Sequence, residues 1–300
     1  MINATGAFTD SVRRLAEPKV AAMITPSQGA HLILDRSFLP GDTAIMVPHT
    51  SDGRVMFAIP WHGHTLVGTT DTPIPKTPLE PIPLDHEIDF ILSTAGLYLH
   101  KKPARKDVLS AFAGIRPLVK SGAGGNTAAL SRDHLIHIDQ SGLLSITGGK
   151  WTTYRHMAED CVRQAAEFAR LTERPCVTRK LRIHGHDPNA KRFGALSVYG
   201  ADAPRIQEII RADSKLGERL HEALPYTGAE VVWAVRAEMA RTVEDVLARR
   251  TRALFLNARA AVQMAPRVAE LMAKELGHNA AWGTAEVRIF KKLARGYTVL

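Results

Sequence analysis

The part of the sequence best suited to chemistry is a pair of glycines followed by a lysine, Gly148-Gly149-Lys150. It follows an apolar run over 143–146 that predicts a buried strand, and it precedes a helix. The helix is indicated by apolar residues at three- and four-residue spacing, namely Met157, Cys161, Ala165 and Phe168. Glycines let a ligand approach the backbone, and a helix start presents free N–H groups to an anion. The segment therefore predicts a site for a phosphate, a carboxylate or an anionic ring, and the alternative is an ordinary strand-to-helix turn.

Two arginines are candidates for binding an anion. Arg116 lies between apolar Ile115 and Pro117-Leu118, and a buried charge must be paired because its desolvation is costly. Its partner is either an internal carboxylate, or an anionic ligand or developing oxyanion that the planar guanidinium would bind. Arg132 follows Ser131 at a predicted strand start, and the residue pattern alone favours a solvated surface arginine there.

Histidines offer one acid–base candidate and two weak metal candidates. His31 opens an apolar strand, where a lone histidine is usually structural, although an imidazole can act as a general base near neutral pH. Two further pairs have His-x-His spacing, at 62–64 and at 184–186 beside Asp187. Neither pair supplies the three or four ligands of a convincing metal site, so we predict no bound metal.

The composition describes a globular protein with no nucleic-acid motif. The 300 residues are 45% apolar and 23% charged, with a formal net charge of +9. The charge is compatible with anionic substrates, acidic lipid or nucleic acid, but we find no zinc-finger spacing, RNP-like string or basic heptad array and expect no nucleic-acid partner. No apolar run is long enough for a transmembrane helix. Two cysteines give no disulfide framework, which indicates a reducing cytoplasm.

The first part of the chain is predicted to be mainly antiparallel sheet. Short apolar runs separated by Asp52-Gly53 and His62-Gly63 turns predict strands, at 31–34, 43–47, 55–60 and 65–68. Five prolines within 72–83 indicate a loop. A helix is predicted over 84–99, and strands return over 110–119, 130–139 and 143–147. The glycine-rich stretch 122–126 is predicted to be a flexible surface loop.

The sequence changes character after Arg170, and we place a domain boundary near Pro175. Beyond it, helices are predicted over 204–213, 230–240 and 258–276, with Thr242 capping a further helix. Met239 is assigned to the apolar face of the second helix, Pro266 is expected to kink or divide the third, and Gly277 to end it. We therefore predict an α+β fold, with an antiparallel sheet domain over 1–174 followed by an all-α domain over 175–300.

Seven ordered motifs resemble the FAD-dependent glycerol-3-phosphate dehydrogenases. They are Ile2-Asn3-Ala4-Thr5-Gly6, Gly29-Ala30-His31-Leu32, Phe57-Ala58-Ile59-Pro60-Trp61, Gly68-Thr69-Thr70-Asp71-Thr72, Gly114-Ile115-Arg116-Pro117-Leu118, Ser131-Arg132-Asp133-His134, and Gly148-Gly149-Lys150-Trp151-Thr152-Thr153-Tyr154-Arg155. The resemblance is specific from residue 2 to about 170 and weaker to about 275. It implies oxidation of sn-glycerol 3-phosphate to dihydroxyacetone phosphate by FAD, with electrons passed to a quinone.

The resemblance also assigns roles to individual residues. It implies that His31 is the base for the substrate hydroxyl and that Arg116 stabilises the developing carbonyl oxygen. The phosphate would be bound by Arg132, with help from Arg116 or Lys150. The cofactor-binding residues would be Ala4, Thr5, Gly6, Gly148, Gly149, Lys150, Trp151 and Thr152.

The family's N-terminal dinucleotide-binding half has no counterpart, because the sequence contains no Gly-x-Gly-x-x-Gly fingerprint. We therefore expect a C-terminal portion of a larger enzyme, with a separate FAD-binding half as a partner. The alternatives are a related oxidase that passes electrons to oxygen, and a non-catalytic fragment acting as an interaction module. The expected location is the cytoplasm, with peripheral contact at the inner face of the membrane as a further option.

Overall fold

The computed structural model describes residues 1–50, 53–120 and 133–299, and packing divides the chain into two compact units. The first unit comprises Met1–Gly29, Thr70–Pro81 and Ala113–Leu181, and the second comprises Ala30–Thr69, Ile82–Phe112 and Arg182–Leu300. Both units collect segments from distant parts of the sequence, so contiguity in the chain does not define them. The glycine-rich stretch 122–126, predicted as a loop, lies outside the described residues.

The first unit is built on a three-stranded sheet of order β1-β9-β8. Its elements are β1 (Ile2–Asn3), α1 (Thr9–Ala16), β6 (Thr72–Pro73), β8 (His134–Ile138), β9 (Leu144–Gly148) and α3 (Tyr154–Phe168). Strand β1 is parallel to β9, with Asn3 opposite Ser145, whereas β8 is antiparallel to β9. The start of β2 (Ile24–Asp35) pairs with β6, and the end of β7 (Val108–Val119) also belongs to this unit. The parallel β1–β9 pair was not predicted.

Alternation along β9 explains how α3 is held. Leu144 and Ile146 are two residues apart and share one face of the strand, where they form a buried cluster with Cys161 of α3. Met157 and Ala165 of the predicted stripe pack against this cluster. The predicted helix is confirmed as far as Phe168, which lies in its last turn and is 54% exposed.

The sheet of the second unit confirms the predicted antiparallel strands. It contains β3 (Ile45–Val47), β4 (Met56–Trp61), β5 (His64–Gly68) and the second half of β2, with helix α2 (Asp85–Ala95). Strand β5 pairs antiparallel with both β2 and β4, and His31 lies opposite Gly68. Leu32 and Leu34 share a buried core with Ile91 and Ala95 of α2, since the apolar stripe of the helix covers the apolar face of the strand.

The C-terminal part of the second unit is helical, as predicted. Its elements are α4 (Ala203–Ala212), β10 (Arg219–His221), β11 (Leu224–Thr227), α5 (Gly228–Ala237), α6 (Ala253–Leu256), α7 (Ala258–Leu276) and α8 (Ala280–Ala294), with a π-helical turn at Asp245–Arg250. The α+β fold class is confirmed. The β10–β11 hairpin and α8 were not predicted; the hairpin turn at Glu222-Ala223 lacks the glycine or asparagine that marks such turns.

Two local predictions in this part need correction. Met239 is 75% exposed and has a φ of 57°, because α5 ends at Ala237 and the chain turns away. Pro266 does not divide α7, which is continuous and buries Met264, Ala265 and Val268 around it, so packing offsets the missing backbone hydrogen bond. The Thr242 cap is confirmed: the Asp245 N–H donates to Thr242 Oγ1 at 3.1 Å, and the Thr242 N–H donates to Asp245 Oδ2 at 2.9 Å. Gly277 ends α7 in the left-handed conformation, as predicted.

Among the residues that the structure describes, no helix combines the length and the apolar character needed to cross a membrane.

Candidate functional site

The parallel pairing of β1 and β9 brings two predicted cofactor motifs to one edge of the sheet. The carboxyl ends of adjacent parallel strands lie at the same edge, which is where ligands bind in open α/β sheets. Ala4-Thr5-Gly6 follows β1, and Gly149-Lys150-Trp151 follows β9. The tertiary fold thus joins two motifs that are far apart in the sequence.

Asn3 anchors the turn that carries the first motif. Its buried amide donates to Ser145 Oγ on β9 and to the Thr9 carbonyl, each at 3.1 Å. Its Oδ1 accepts from the Thr5 hydroxyl at 2.7 Å and from the Thr5 N–H at 3.3 Å. Gly6 has a φ of 56°, and a methyl group there would contact nothing within 4 Å. The turn is therefore rigidly tied to β9 while its glycine borders open space.

The second motif requires both of its glycines. Gly148 and Gly149 have φ values of 75° and 73°, which L side chains rarely adopt. A methyl group at Gly148 would lie 2.8 Å from the Asp133 carbonyl oxygen, and one at Gly149 would lie 2.5 Å from Met157 Sδ. Both the positive φ values and these close contacts therefore require glycine at the two positions.

The residues after the glycines present charge and aromatic surface. Lys150 and Thr152 are exposed, and Trp151 is 86% exposed and stacks on Tyr154 with ring centroids 5.4 Å apart. Residues 151–153 form a 3₁₀ turn that leads into α3, and neither helical segment has an acidic residue in its first turn. An uncapped helix start beside a lysine favours an anion, and the exposed rings suit a flat aromatic ligand.

Thr147 is an unusual buried polar residue in the same strand. It is 2% exposed, and within the described part of the chain its Oγ1 has no hydrogen-bond partner. It shares a face of β9 with Ser145, the residue that Asn3 contacts. Buried hydroxyls are normally satisfied, so this one can still accept or donate a hydrogen bond.

Arg116 has the internal carboxylate partner that was one of its two predicted alternatives. Its Nη1 lies 3.5 Å from Asp71 Oδ1, and Asp71 also accepts a short hydrogen bond from the Ser27 hydroxyl. The Arg116 side chain nevertheless remains 35% exposed. An ion pair at this distance, made by a side chain that is not fully buried, is compatible with binding an anion in addition to Asp71.

His31 belongs to the second unit and is partly buried in β2, opposite Gly68 of β5. Its ring stacks on Phe112, with centroids 5.6 Å apart and an interplanar angle of 16°. A methyl group at Gly68 would lie 2.9 Å from His31 Cγ, so the imidazole lies directly against the glycine backbone. Strand pairing and ring stacking together restrict the orientation of this imidazole.

The other predicted residues differ in outcome. Arg132, predicted to bind phosphate, lies outside the described residues. His184 pairs with Asp202 at 2.6 Å and Asp187 pairs with Arg192 at 2.8 Å. Across 1–50, 53–120 and 133–299, no cluster of three or more His, Cys, Asp or Glu side chains could hold a metal ion.

Three residues around Arg116 were not predicted as part of a site. They are Gly29 and Asp71, which lie close to the guanidinium, and Ser27, which donates a hydrogen bond to Asp71. Gly29 and Asp71 lie within motifs noted in the sequence, which was the available signal. Their roles depend on contact between three separate segments of the chain, and a local sequence pattern does not predict such contact.

The first unit also contains a cleft that lies away from the glycine motif. A cleft of about 620 Å³ in the first unit is lined by Glu17, Lys19, His137 and Asp139, among others. It lies at the opposite edge of the sheet from Gly148, because β8 is antiparallel to β9. Asp139 is already bound to Arg13 there. We place the candidate site at the glycine-rich edge because that is where the chemically suited residues lie.

Two family models match the chain. Residues 1–155 match the FAD dependent oxidoreductase family. Residues 144–282 match the C-terminal domain of alpha-glycerophosphate oxidase. The predicted resemblance to FAD-dependent glycerol-3-phosphate dehydrogenases is confirmed by these matches together with the relatives below.

The relatives are glycerol-3-phosphate dehydrogenases. The probable mitochondrial enzyme of Caenorhabditis elegans is 42% identical over 99% of this chain and 44% of its own length. The mitochondrial enzyme of Arabidopsis thaliana is 38% identical over 92% of this chain and 48% of its own length. A solved structure of the Bacillus halodurans enzyme complexed with FAD is 28% identical, with a TM-score of 0.82, covering 99% of this chain and 62% of that one. The chain thus spans less than half the length of these two curated relatives.

Proposed function

The chain belongs to the FAD-dependent oxidoreductases, and we propose that it forms the substrate-binding and flavin-ring part of a glycerol-3-phosphate dehydrogenase. The observation that carries this proposal is the parallel β1–β9 pair, which presents Ala4-Thr5-Gly6 and Gly148-Gly149-Lys150 at one sheet edge. Mitochondrial and bacterial glycerol-3-phosphate dehydrogenases that align with almost the entire chain support it.

The residues at this edge fit an anionic, aromatic cofactor. Gly6 has a positive φ and borders open space, and Trp151 offers an exposed ring. The Thr147 hydroxyl, which has no partner within the described part of the chain, offers a buried hydrogen-bonding atom. Ala4, Thr5, Gly6 and residues 148–152 would hold the FAD ring, which when bound supplies the acceptor for the substrate hydride. Lys150 and the helix start would stabilise negative charge at this edge.

The substrate would be held and deprotonated by four basic side chains. Arg132 would bind the phosphate of sn-glycerol 3-phosphate, with help from Arg116 or Lys150. His31, restrained by its stack on Phe112, would remove the proton of the secondary hydroxyl as its carbon gives up a hydride. The guanidinium of the partly exposed Arg116 side chain would stabilise the oxygen as dihydroxyacetone phosphate forms.

The partners and the electron acceptor complete the proposal. A separate FAD-binding half would supply the adenine and pyrophosphate contacts, and electrons would pass to a quinone at a membrane surface. The match of residues 144–282 to an oxidase domain makes oxygen the second candidate acceptor. Comparing quinone and oxygen consumption in the assembled enzyme separates the two, since only an oxidase yields peroxide stoichiometrically.

The test is complementation. The 300-residue chain is co-expressed with the N-terminal part of the Caenorhabditis elegans relative, and reduction of an artificial acceptor by glycerol 3-phosphate is measured. We expect activity that His31→Ala lowers about 10²–10⁴-fold in kcat, less so at high pH where hydroxide replaces the base. Normal kcat in His31→Ala would remove His31 from the mechanism. A complex that binds FAD but never oxidises glycerol 3-phosphate would refute the proposed function.

We also propose a boundary near residue 175 between parts 1–174 and 175–300. Residues 171–183 are exposed and lie between α3 and the helical part, outside the helices and strands, and such segments are preferred by proteases. Trp61 and Phe112 pack against the core of the helical part within the second unit. Limited proteolysis decides: a first cut within 171–190 that leaves a stable C-terminal fragment is expected, and a first cut within 230–275 would contradict the boundary.

A further inference from the structure

Gly29 lies on β2 directly against the guanidinium of Arg116. It is buried, and its φ is outside the left-handed region, so the backbone itself would accept any L residue. A methyl group at this position would nevertheless lie 2.5 Å from Nη1 and 2.7 Å from Cζ of Arg116, and closer still to Nη2. These distances are far below van der Waals contact. The guanidinium therefore occupies the space that a side chain at residue 29 would fill.

The same guanidinium is paired with Asp71. This carboxylate lies 3.5 Å from Arg116 Nη1, is itself only 17% exposed, and accepts a hydrogen bond from Ser27. Ser27 is fully buried in β2, where it pairs with Pro73 of β6. We call Ser27, Gly29 and Asp71 the Arg116 seat. Two of its members attract or orient the charge, and the third leaves room for it.

We propose that Gly29 is a positioning residue, which fixes the Arg116 guanidinium at the place where it meets the anionic substrate. The proposal rests on the function proposed above, in which Arg116 contacts glycerol 3-phosphate. Gly29 need not touch the substrate itself. It acts because any larger residue would push the guanidinium off the β2 backbone and away from Asp71.

The nature of the clash separates positioning from folding. A methyl group at Gly29 meets the far end of a flexible side chain, which can swing away at little cost to the fold. At Gly148, in contrast, it would meet the backbone carbonyl of Asp133 and require an unfavourable φ. Gly29→Ala is therefore expected to preserve the stability of the protein and to move the Arg116 side chain. Substitution of a glycine that only the fold requires would instead lower the stability of the protein.

The matched control is Gly114→Ala. Gly114 lies on β7, two residues before Arg116, is exposed, and has no atom within 4 Å of an added methyl group; its φ is also outside the left-handed region. Both variants add one methyl group to a strand of the first unit. Only Gly29→Ala adds it where the guanidinium lies.

The experiment measures the Arg116 guanidinium directly. Nitrogen-15 NMR spectra of the arginine Nε–H groups are recorded for the 300-residue chain, with the Arg116 signal assigned by its loss in Arg116→Met. Gly29→Ala should shift this signal and leave the melting temperature within about 2 °C of wild type, while Gly114→Ala should change neither. An Arg116 signal unchanged in Gly29→Ala would overturn the proposal.

Ligand binding adds the functional consequence. Titration calorimetry with glycerol 3-phosphate should show about tenfold weaker binding for Gly29→Ala, because a charge-assisted hydrogen bond is lost. On an Arg116→Met background the Gly29→Ala substitution should have no further effect, since the group it displaces is absent. Equal weakening on both backgrounds would overturn the proposal. If wild type binds no glycerol 3-phosphate, the proposed function loses its support, and the NMR signal alone decides the role of Gly29.

A poorly folding Gly29→Ala chain would still be informative. If the double variant with Arg116→Met recovers wild-type stability, the damage came from the clash with Arg116, as proposed. If the double variant is equally unstable, Gly29 serves the fold rather than the guanidinium.

Discussion

Two arginines of the first unit illustrate two uses of the same side chain. Arg13 of α1 is 4% exposed and donates to both carboxylate oxygens of Asp139, at 3.0 and 2.7 Å. It also donates to Asp10 at 3.2 Å and to the Ala21 carbonyl at 2.8 Å. Arg116 is 35% exposed and lies 3.5 Å from Asp71. We call Asp10, Arg13 and Asp139 the Arg13 cluster and compare it with the Arg116 seat.

The two guanidinium groups differ in burial and in the length of their ion pairs. Arg13 donates three buried hydrogen bonds to the carboxylates of Asp10 and Asp139, and hydrogen bonds from Arg13 lower the pKa of the Asp139 carboxyl. Asp10 in turn accepts from the Met23 and Ile24 backbone N–H groups, so the cluster joins α1 to β2. Arg116 keeps solvent access and a longer ion pair. A buried arginine with short bonds to carboxylates serves stability, whereas a partly exposed arginine with a longer ion pair is accessible to a ligand.

Removing Arg13 should have the largest effect. Arg13→Met leaves the buried Asp10 and Asp139 carboxylates without their cation, which should lower the free energy of unfolding by about 3–5 kcal/mol. Urea denaturation measures this loss. Arg14→Met, at the exposed neighbouring position on α1, is the control and should change stability by less than about 0.5 kcal/mol. Equal losses in the two variants would contradict the comparison.

In contrast to Arg13→Met, Arg116→Lys should have a large effect on kcat and a small effect on the free energy of unfolding. The lysine keeps the charge but loses the planar fork, so kcat of the complemented enzyme should fall about 10²-fold. Because the ion pair with Asp71 is partly exposed, stability should change by less than about 1 kcal/mol. Steady-state kinetics and urea denaturation are measured on the same preparation. A loss of stability as large as that of Arg13→Met would show that Arg116, like Arg13, mainly stabilises the fold.

Lowering the pH should reduce the difference in unfolding free energy between wild type and Arg13→Met. The Asp139 pKa is lowered in the folded state, chiefly by hydrogen bonds from Arg13, so its stabilising contribution is complete above the ordinary carboxyl pKa and is lost as the pH falls below it. The gap in unfolding free energy between the two proteins should therefore narrow between about pH 5 and pH 3. A gap that stays constant or widens would show that Asp139 does not contribute to stability in this way. Arg14→Met should show no such trend.

The sequence by itself determined the local structure and the candidate chemistry. Apolar spacing located α7 at Ala258–Leu276 with its glycine stop, and strand patterns located β4, β5 and β9 to within a few residues. These features depend on hydrogen bonds and side-chain faces within a few residues of each other, which a sequence window contains. The glycine motif after β9 was also evident, because glycine at a strand-to-helix turn has a local physical cause.

Tertiary structure decided which of these elements meet. Asn3 and Ser145, 142 positions apart, join in a parallel pair that places two motifs at one edge. Nothing local distinguishes Arg13 from Arg14, yet only Arg13 reaches Asp139, 126 positions away. Gly29 looks like an ordinary strand glycine until β7 brings Arg116 against it. Such contacts depend on the path of the whole chain, since burial and pairing of a charge are set by whatever distant segments the fold packs around it.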